Sequence, residues 1–177
     1  MSINPKLRQG GFSLVELLIV VVVIGIVAAI AIPNLMASRR AANEGSAISD
    51  LRMFHSAQMT YATSMGRGDF AGDTSLNGNA MTELGAAGII DSLLASGTKN
   101  GYRFTGVKID ASGPIASGFC GRAVPVVGGG VTATGPRNVA TSTDGVIYGA
   151  NAANPNNANC TVAGGIISVT GGTPVNE

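Results

Sequence analysis

The chain has 177 residues, 45% of them hydrophobic and only 12% charged, with 26 Gly and no Trp; its formal charge is +1. That length fits one domain plus a membrane helix. The small net charge argues against an electrostatic nucleic-acid binder, and the scarcity of charge with many small residues suits packing against copies of itself better than a freely soluble enzyme.

Residues 1–11 read as a short basic leader carrying Lys6 and Arg8 and ending in Gly10-Gly11. Losing those two cations lowers the side-chain charge from +1 to −1. The stretch Gly11-Phe12-Ser13-Leu14-Val15-Glu16-Leu17 then opens an apolar run, and Leu17 to Ile32 contains no polar side chain. Taken as one helix, Phe12 to Ile32 is about 30 Å long, close to the hydrocarbon thickness of a bilayer. Glu16 stands at the head of this run, where an ionisable group calls for a partner. A cut after Gly11 would give Phe12 an α-amino group one helical turn from Glu16 on the same face. The helix N-terminus also favours the carboxylate. The competing readings are a merely interfacial, solvated Glu16 and an ordinary secretory signal. Ala29-Ile30-Ala31 has the small-x-small form of a signal-peptidase site and would put the mature start at Ile32, but the apolar run exceeds the usual h-region and contains Glu16.

The Gly11–Glu16 stretch resembles the prepilin cleavage and methylation motif of type IV pilins and type II secretion pseudopilins, and Ile30-Ala31-Ile32-Pro33-Asn34 resembles the family's continuation with its helix-kinking proline. The similarity covers roughly residues 8–65. It implies a leader cut between Gly11 and Phe12 by a membrane prepilin peptidase and N-methylation of Phe12. It also implies pairing of Glu16 with a neighbouring subunit's N-terminus during filament assembly. The implied partners are identical subunits in a helical filament, the inner-membrane assembly machinery, and the lipid bilayer before assembly. The implied location is the bacterial inner membrane, single-pass with a periplasmic head, and then a cell-surface or periplasmic filament.

Beyond the leader, the expected fold is α+β: a long N-terminal helix on an antiparallel sheet of about four strands. Segment 12–33 is the transmembrane or filament-core part, 34–65 an amphipathic half, and 66–177 a globular head. Gly25 and Pro33 are the weak points of the helix, since Pro33 removes a donor and crowds the preceding turn, so a kink or melted turn is expected between them. Ala47, Ile48, Leu51, Phe54, His55, Gln58, Tyr61, Ala62 and Met65 recur at helical spacing and are expected to face the head. Arg39, Arg40, Glu44, Asp50 and Arg52 fall mostly elsewhere and are candidates to meet neighbouring subunits. His55 reads as a packed helix residue.

Gly66 to Gly72 ends the helix, with Phe70 expected to tuck back onto the head, and Thr82 to Ser96 reads as one or two short helices. Lys99-Asn100-Gly101 reads as a turn. Strands are expected from Tyr102, over Phe119–Val127, Asn138–Ser142 and Gly145–Tyr148, and within Gly164–Thr170. Thr143-Asp144-Gly145 is a hairpin signal. Gly149–Asn159 reads as an exposed loop and Gly171–Glu177 as a mobile tail. Cys120 and Cys160 in an exported chain read as one disulfide, with two free buried thiols as the alternative. A stapled C-terminal loop of that kind resembles the D-region of pilins. Weaker resemblance to pilin-like heads lies in Lys99–Phe104, Gly135–Asn138 and Asp144–Tyr148.

The chain contains no nucleophile motif, HExxH or P-loop. Asp110 and Asp144 lack calcium-ligand spacing, so neither metal nor cofactor is expected, and no enzyme. The leading expectation is a type IV pilus subunit. A major pseudopilin of a type II secretion system is the alternative within the class, and an exported soluble or membrane-anchored binding protein is the alternative outside it.

Overall fold

The computed structural model describes residues 11–74, 79–110, 117–152, 159–163 and 166–175. The leader residues 1–10 lie outside that set, as do parts of the 149–159 loop and of the glycine-led last strand. The chain divides into two compact units, one ending at Ala37 and the other spanning Ser38–Glu177.

The first unit holds the start of α1, which runs Leu14–Ser64 and continues into the second. It is assigned as helix through Gly25 and Pro33, so the expected melted turn is absent. Most of a proline's cost is one lost hydrogen bond and a local clash, which a long apolar helix with intact bonds on either side can carry. The apolar side chains from Leu14 to Leu35 are exposed. The helix is long and apolar enough to cross a membrane.

The second unit is a three-layer α+β head. Its elements after α1 are α2 (Ala80–Ala86), α3 (Ser92–Ala95), β1 (Thr98–Lys99), β2 (Tyr102–Ile109), β3 (Gly118–Pro125), β4 (Arg137–Ser142), β5 (Ile147–Asn151), β6 (Asn159–Ala163), β7 (Ile166–Thr170) and β8 (Thr173–Pro174). The antiparallel sheet on the long helix matches expectation, but it has six strands, in the order β1-β2-β3-β4-β5-β8. Two are two-residue edges too short to show alternation. The Ile166–Val169 run is not a member of this sheet. It pairs with β6 in a separate ribbon.

Strand alternation explains the layers. Phe119 and Val139 face α1 and the main core, whereas Ala140 and Ala150 face the other way and pack with Val169 of the ribbon. With both faces covered, β4 is buried along Asn138–Ser142. Cys120, next to Phe119, also points away from α1 and bonds to Cys160 of β6 at a Cα separation of 5.9 Å. The disulfide thus staples the ribbon to the sheet and closes a 40-residue separation. Chain-entropy reasoning gives about 4 kcal/mol for such a loop. Cys120→Ser with Cys160→Ser should lower unfolding stability by about that amount, and urea unfolding in detergent with and without reductant checks it: the reductant should shift the native chain and leave the double variant unmoved.

The centre of the head is Phe54 of α1, fully buried with Leu51, Ala57 and Gln58. Its ring sits edge-on to Phe119 at 5.8 Å, and Phe119 meets Phe70 at 4.8 Å. It lies over two glycines that stand opposite each other across β2 and β3, Gly106 and Gly121. A Cβ at either would collide with the ring. Gln58 donates from Nε2 to the Ala71 carbonyl (3.0 Å) and accepts from the Ala71 amide (2.8 Å), pinning the loop that follows α1. Phe70 is buried there, as expected. Met65, placed on the head-facing stripe by its spacing, is 57% exposed because α1 ends one residue earlier and the chain turns away.

The tail is ordered where it is described. Thr173–Pro174 pairs with Tyr148–Gly149, and the Val175 amide donates to the Ile147 carbonyl (2.8 Å). Val175 also packs against the core. That anchorage overturns the expected mobile tail up to Val175.

Candidate assembly site at the helix N-terminus

Gly11, Phe12 and Ser13 precede α1, and Glu16 lies in its first turn. The Ser13 hydroxyl accepts from the Val15 amide at 3.3 Å, and Glu16 Oε2 accepts from the Ser13 amide at 3.0 Å. This is a reciprocal N-terminal cap of the Ser-x-x-Glu type. It satisfies two of the amides a helix start leaves unpaired and holds the carboxylate beside the positive end of the helix. A carboxylate offers about four acceptor positions, so the cap leaves capacity for an incoming cation. The expected role of Glu16 therefore acquires a second residue, Ser13. Its signal was present in the sequence as serine three positions before the glutamate. Phe12 is 86% exposed.

The helix charges read as candidates for neighbouring subunits are mostly used within the head. Glu44 is buried and paired with Arg137 of β4. Arg40 Nη2 donates to the carbonyls of Gly130 (3.1 Å) and Val131 (2.6 Å). Asp50 is buried and paired with Lys99 at 2.8 Å. A pattern count places such residues off the apolar stripe but does not reveal that β1 and β4 bring cations to them. Lys99 also holds Asp91 at 3.1 Å, and Asp91 caps α3 by accepting from Leu93 and Leu94. Removing Lys99 strands a buried carboxylate whose second oxygen is already without a partner among the described residues. Lys99→Met should cost about 2 kcal/mol, discounted from the usual cost of breaking a buried pair because Lys99 is partly exposed. Adding Asp50→Leu should recover most of it, and a double-mutant cycle by denaturant unfolding measures the coupling.

His55 is a packed helix residue, its ring 5.3 Å from Phe119. Asp144 serves the β4–β5 turn, accepting from Ser142 Oγ (2.8 Å), the Val146 amide (3.1 Å) and Tyr148 Oη (3.2 Å). Asp110 pairs with Lys108 at 3.0 Å. Among the described residues no group of three or more His, Cys, Asp or Glu gathers to hold a metal.

The titrating groups of the head set an alkaline limit to its stability. Lys99 is raised by its bond to Asp50 and secondarily by Asp91, and Lys108 by its bond to Asp69 and then Asp110. Tyr61 is raised by its bond to Glu83 and by burial. Burial, and then Glu44, raises Tyr102 well above the ordinary phenol range. Groups whose folded values are raised contribute stability that is complete below the unfolded values, about 10 to 10.5, and is lost as pH rises through the folded ones. Asp91 is lowered, first by the Leu94 amide; its contribution is present above the unfolded value near 4 and lost as pH falls. Thermal unfolding of the disulfide-intact chain should therefore be flat through neutral pH and fall above about pH 10.

A family model described as the prokaryotic N-terminal methylation motif matches residues 6–32. The type II secretion system core protein G of Aeromonas hydrophila is 44% identical over 46 residues, 26% of this chain and 32% of that protein. The type IV major pilin protein PilA of Myxococcus xanthus (strain DK1622) is 41% identical over 71 residues, 40% of this chain and 31% of that protein. The core protein G of Pectobacterium carotovorum subsp. carotovorum is 39% identical over 54 residues, 30% of this chain and 35% of that protein. The chain thus spans about a third of the length of these relatives. No solved structure matches it significantly. Motif and relatives make the N-terminal part of the chain similar to type IV pilins and type II secretion pseudopilins, and the helix-on-sheet architecture is consistent with that likeness.

Proposed function

We propose that the chain is a structural subunit of a type IV pilus. Prepilin peptidase removes residues 1–11, Phe12 is N-methylated, and segment 12–33 anchors the subunit in the inner membrane with segments 34–65 and 66–177 on the periplasmic side. The assembly machinery then moves it into a helical filament of identical copies, where Glu16 accepts a neighbour's N-terminal amine. Flexing of α1 at Gly25 and Pro33 accommodates the new packing. The observation that carries this reading is the exposed apolar half of α1 with a capped carboxylate in its first turn. Such a surface needs lipid first and other apolar helices afterwards. The test is to shear cells of the native host and probe the released fraction for this chain. Abundant chain in long sheared filaments is expected; retention in the envelope contradicts a surface pilus.

The matches to core protein G favour a second reading, a major pseudopilin of a type II secretion system. That reading predicts no sheared filaments and loss of protein export on deletion. The PilA match is longer, 71 residues against 46 and 54, and supports the first.

A further inference from the structure

The turn between β3 and β4 carries Val126-Val127-Gly128-Gly129-Gly130-Val131. Its valines are exposed, Val131 by 72%, the highest exposure of a large apolar side chain among the described residues of the head. The loop is built, not frayed. The Thr134 amide donates to the Val127 carbonyl (2.9 Å) and the Ala133 amide to the Gly130 carbonyl (3.3 Å). Thr134 Oγ1 donates to the Gly101 carbonyl (2.7 Å). Asn43 Nδ2 donates to the Thr134 carbonyl (2.8 Å), and Arg40 fastens the tip through the Gly130 and Val131 carbonyls.

Two features point to one occupant. Arg40 follows Ala37, where the first unit ends, by three residues, about 4.5 Å of helical rise. The loop is thus tied to the first turn of the head, next in the chain to the apolar segment. Residues 38–43 and 126–136 contain Arg39 and Arg40 and no acid, a charge complement to anionic headgroups. Several of the loop's carbonyls are already bonded, which lowers the cost of leaving bulk water.

We propose that the Val126–Val131 loop, fastened by Arg40 and with the exposed Arg39 next to Arg40 in the chain, is a lipid-interface contact that rests the head of the unassembled subunit on an anionic phospholipid surface. The contact rests on the reading that the apolar half of α1 spans the membrane. It orients the head before assembly and must be given up when the subunit leaves the bilayer. Arg39 supplies headgroup pairing and the valines shallow apolar contact, as in interfacial segments that lie at the headgroup boundary.

The test uses the full chain, one copy per nanodisc of phosphatidylethanolamine and phosphatidylglycerol, with Cys120 and Cys160 joined so that an introduced cysteine is the reactive thiol. A bimane label is placed by Val131→Cys, by Val22→Cys in the apolar helix, and by Arg67→Cys on the exposed turn after α1. Quenching by headgroup-attached nitroxide lipids should be several-fold stronger at position 131 than at 67, and should weaken in discs of phosphatidylcholine alone. Equal, weak quenching at 131 and 67, with 22 quenched by deep nitroxides, overturns the loop contact and leaves the span intact. An unquenched label at 22 overturns the span and the contact together. A label at 131 shielded only in discs holding several copies assigns the loop to a second subunit and overturns the lipid proposal.

Discussion

Glu16→Ala should leave membrane insertion intact and reduce filament assembly at least about tenfold, the equivalent of about 1.4 kcal/mol. A charge-assisted hydrogen bond is worth about 1.5–3 kcal/mol, and an apolar filament core would not weaken it by screening. Alanine removes two functions at once, however: the charge, and the acceptor that bonds the Ser13 amide. Glu16→Gln separates them. Glutamine serves in the reciprocal cap as glutamate does but cannot neutralise a neighbour's ammonium. The charge-pairing account expects Gln to assemble almost as poorly as Ala, and Ser13→Ala to retain most assembly at a small cost to the helix start. Quantifying sheared filaments against membrane-inserted subunit checks this. Normal assembly of Glu16→Gln would reduce the role of the glutamate to capping.

The second large effect is expected at Phe54. Phe→Ala in a core costs about 3–5 kcal/mol, with the upper end reached where the surroundings cannot collapse into the cavity. Here the floor of the site is backbone, Gly106 paired with Gly121, and no side chain there can swing in. Phe54→Ala should therefore cost about 5 kcal/mol, comparable with the whole stability of many domains. Denaturant unfolding in detergent, followed by the circular dichroism of the head, should show a lost or barely cooperative transition. Gly121→Ala tests the same arrangement from the other side, because its methyl would meet the Phe54 ring. If both variants unfolded within about 1 kcal/mol of the native chain, the ring-over-glycine core would be the wrong description.

What was legible in the chain divides along the range of the interactions. The apolar run, Glu16 at its head, the α1 stripe from Ala47 to Ala62 and the turns at Asn100-Gly101 and Asp144-Gly145 depend on nearby residues. They emerge from spacing alone, and the positive φ of Asn100 and Gly101 is what that turn demands. The Ser13–Glu16 cap is equally local, its two residues three positions apart. The remaining features depend on partners far apart in the chain. Glu44 with Arg137 and Asp50 with Lys99 need the sheet to be placed before either pair exists. Strand β8 has only two residues, and Ile166–Val169 carries the same apolar signal whether it joins the main sheet or the ribbon. Glycine in a strand interior ordinarily weakens it, and nothing local shows that the missing side chains of Gly106 and Gly121 are what admit Phe54.

The central claim is that this chain is cut and modified between Gly11 and Phe12 so that Glu16 meets an N-terminal amine. Mass spectrometry of the N-terminal peptide from protein purified out of its native host tests it most directly. The account predicts a peptide beginning at N-methylated Phe12. A peptide beginning at Ile32 would remove Glu16 with the apolar helix and contradict it.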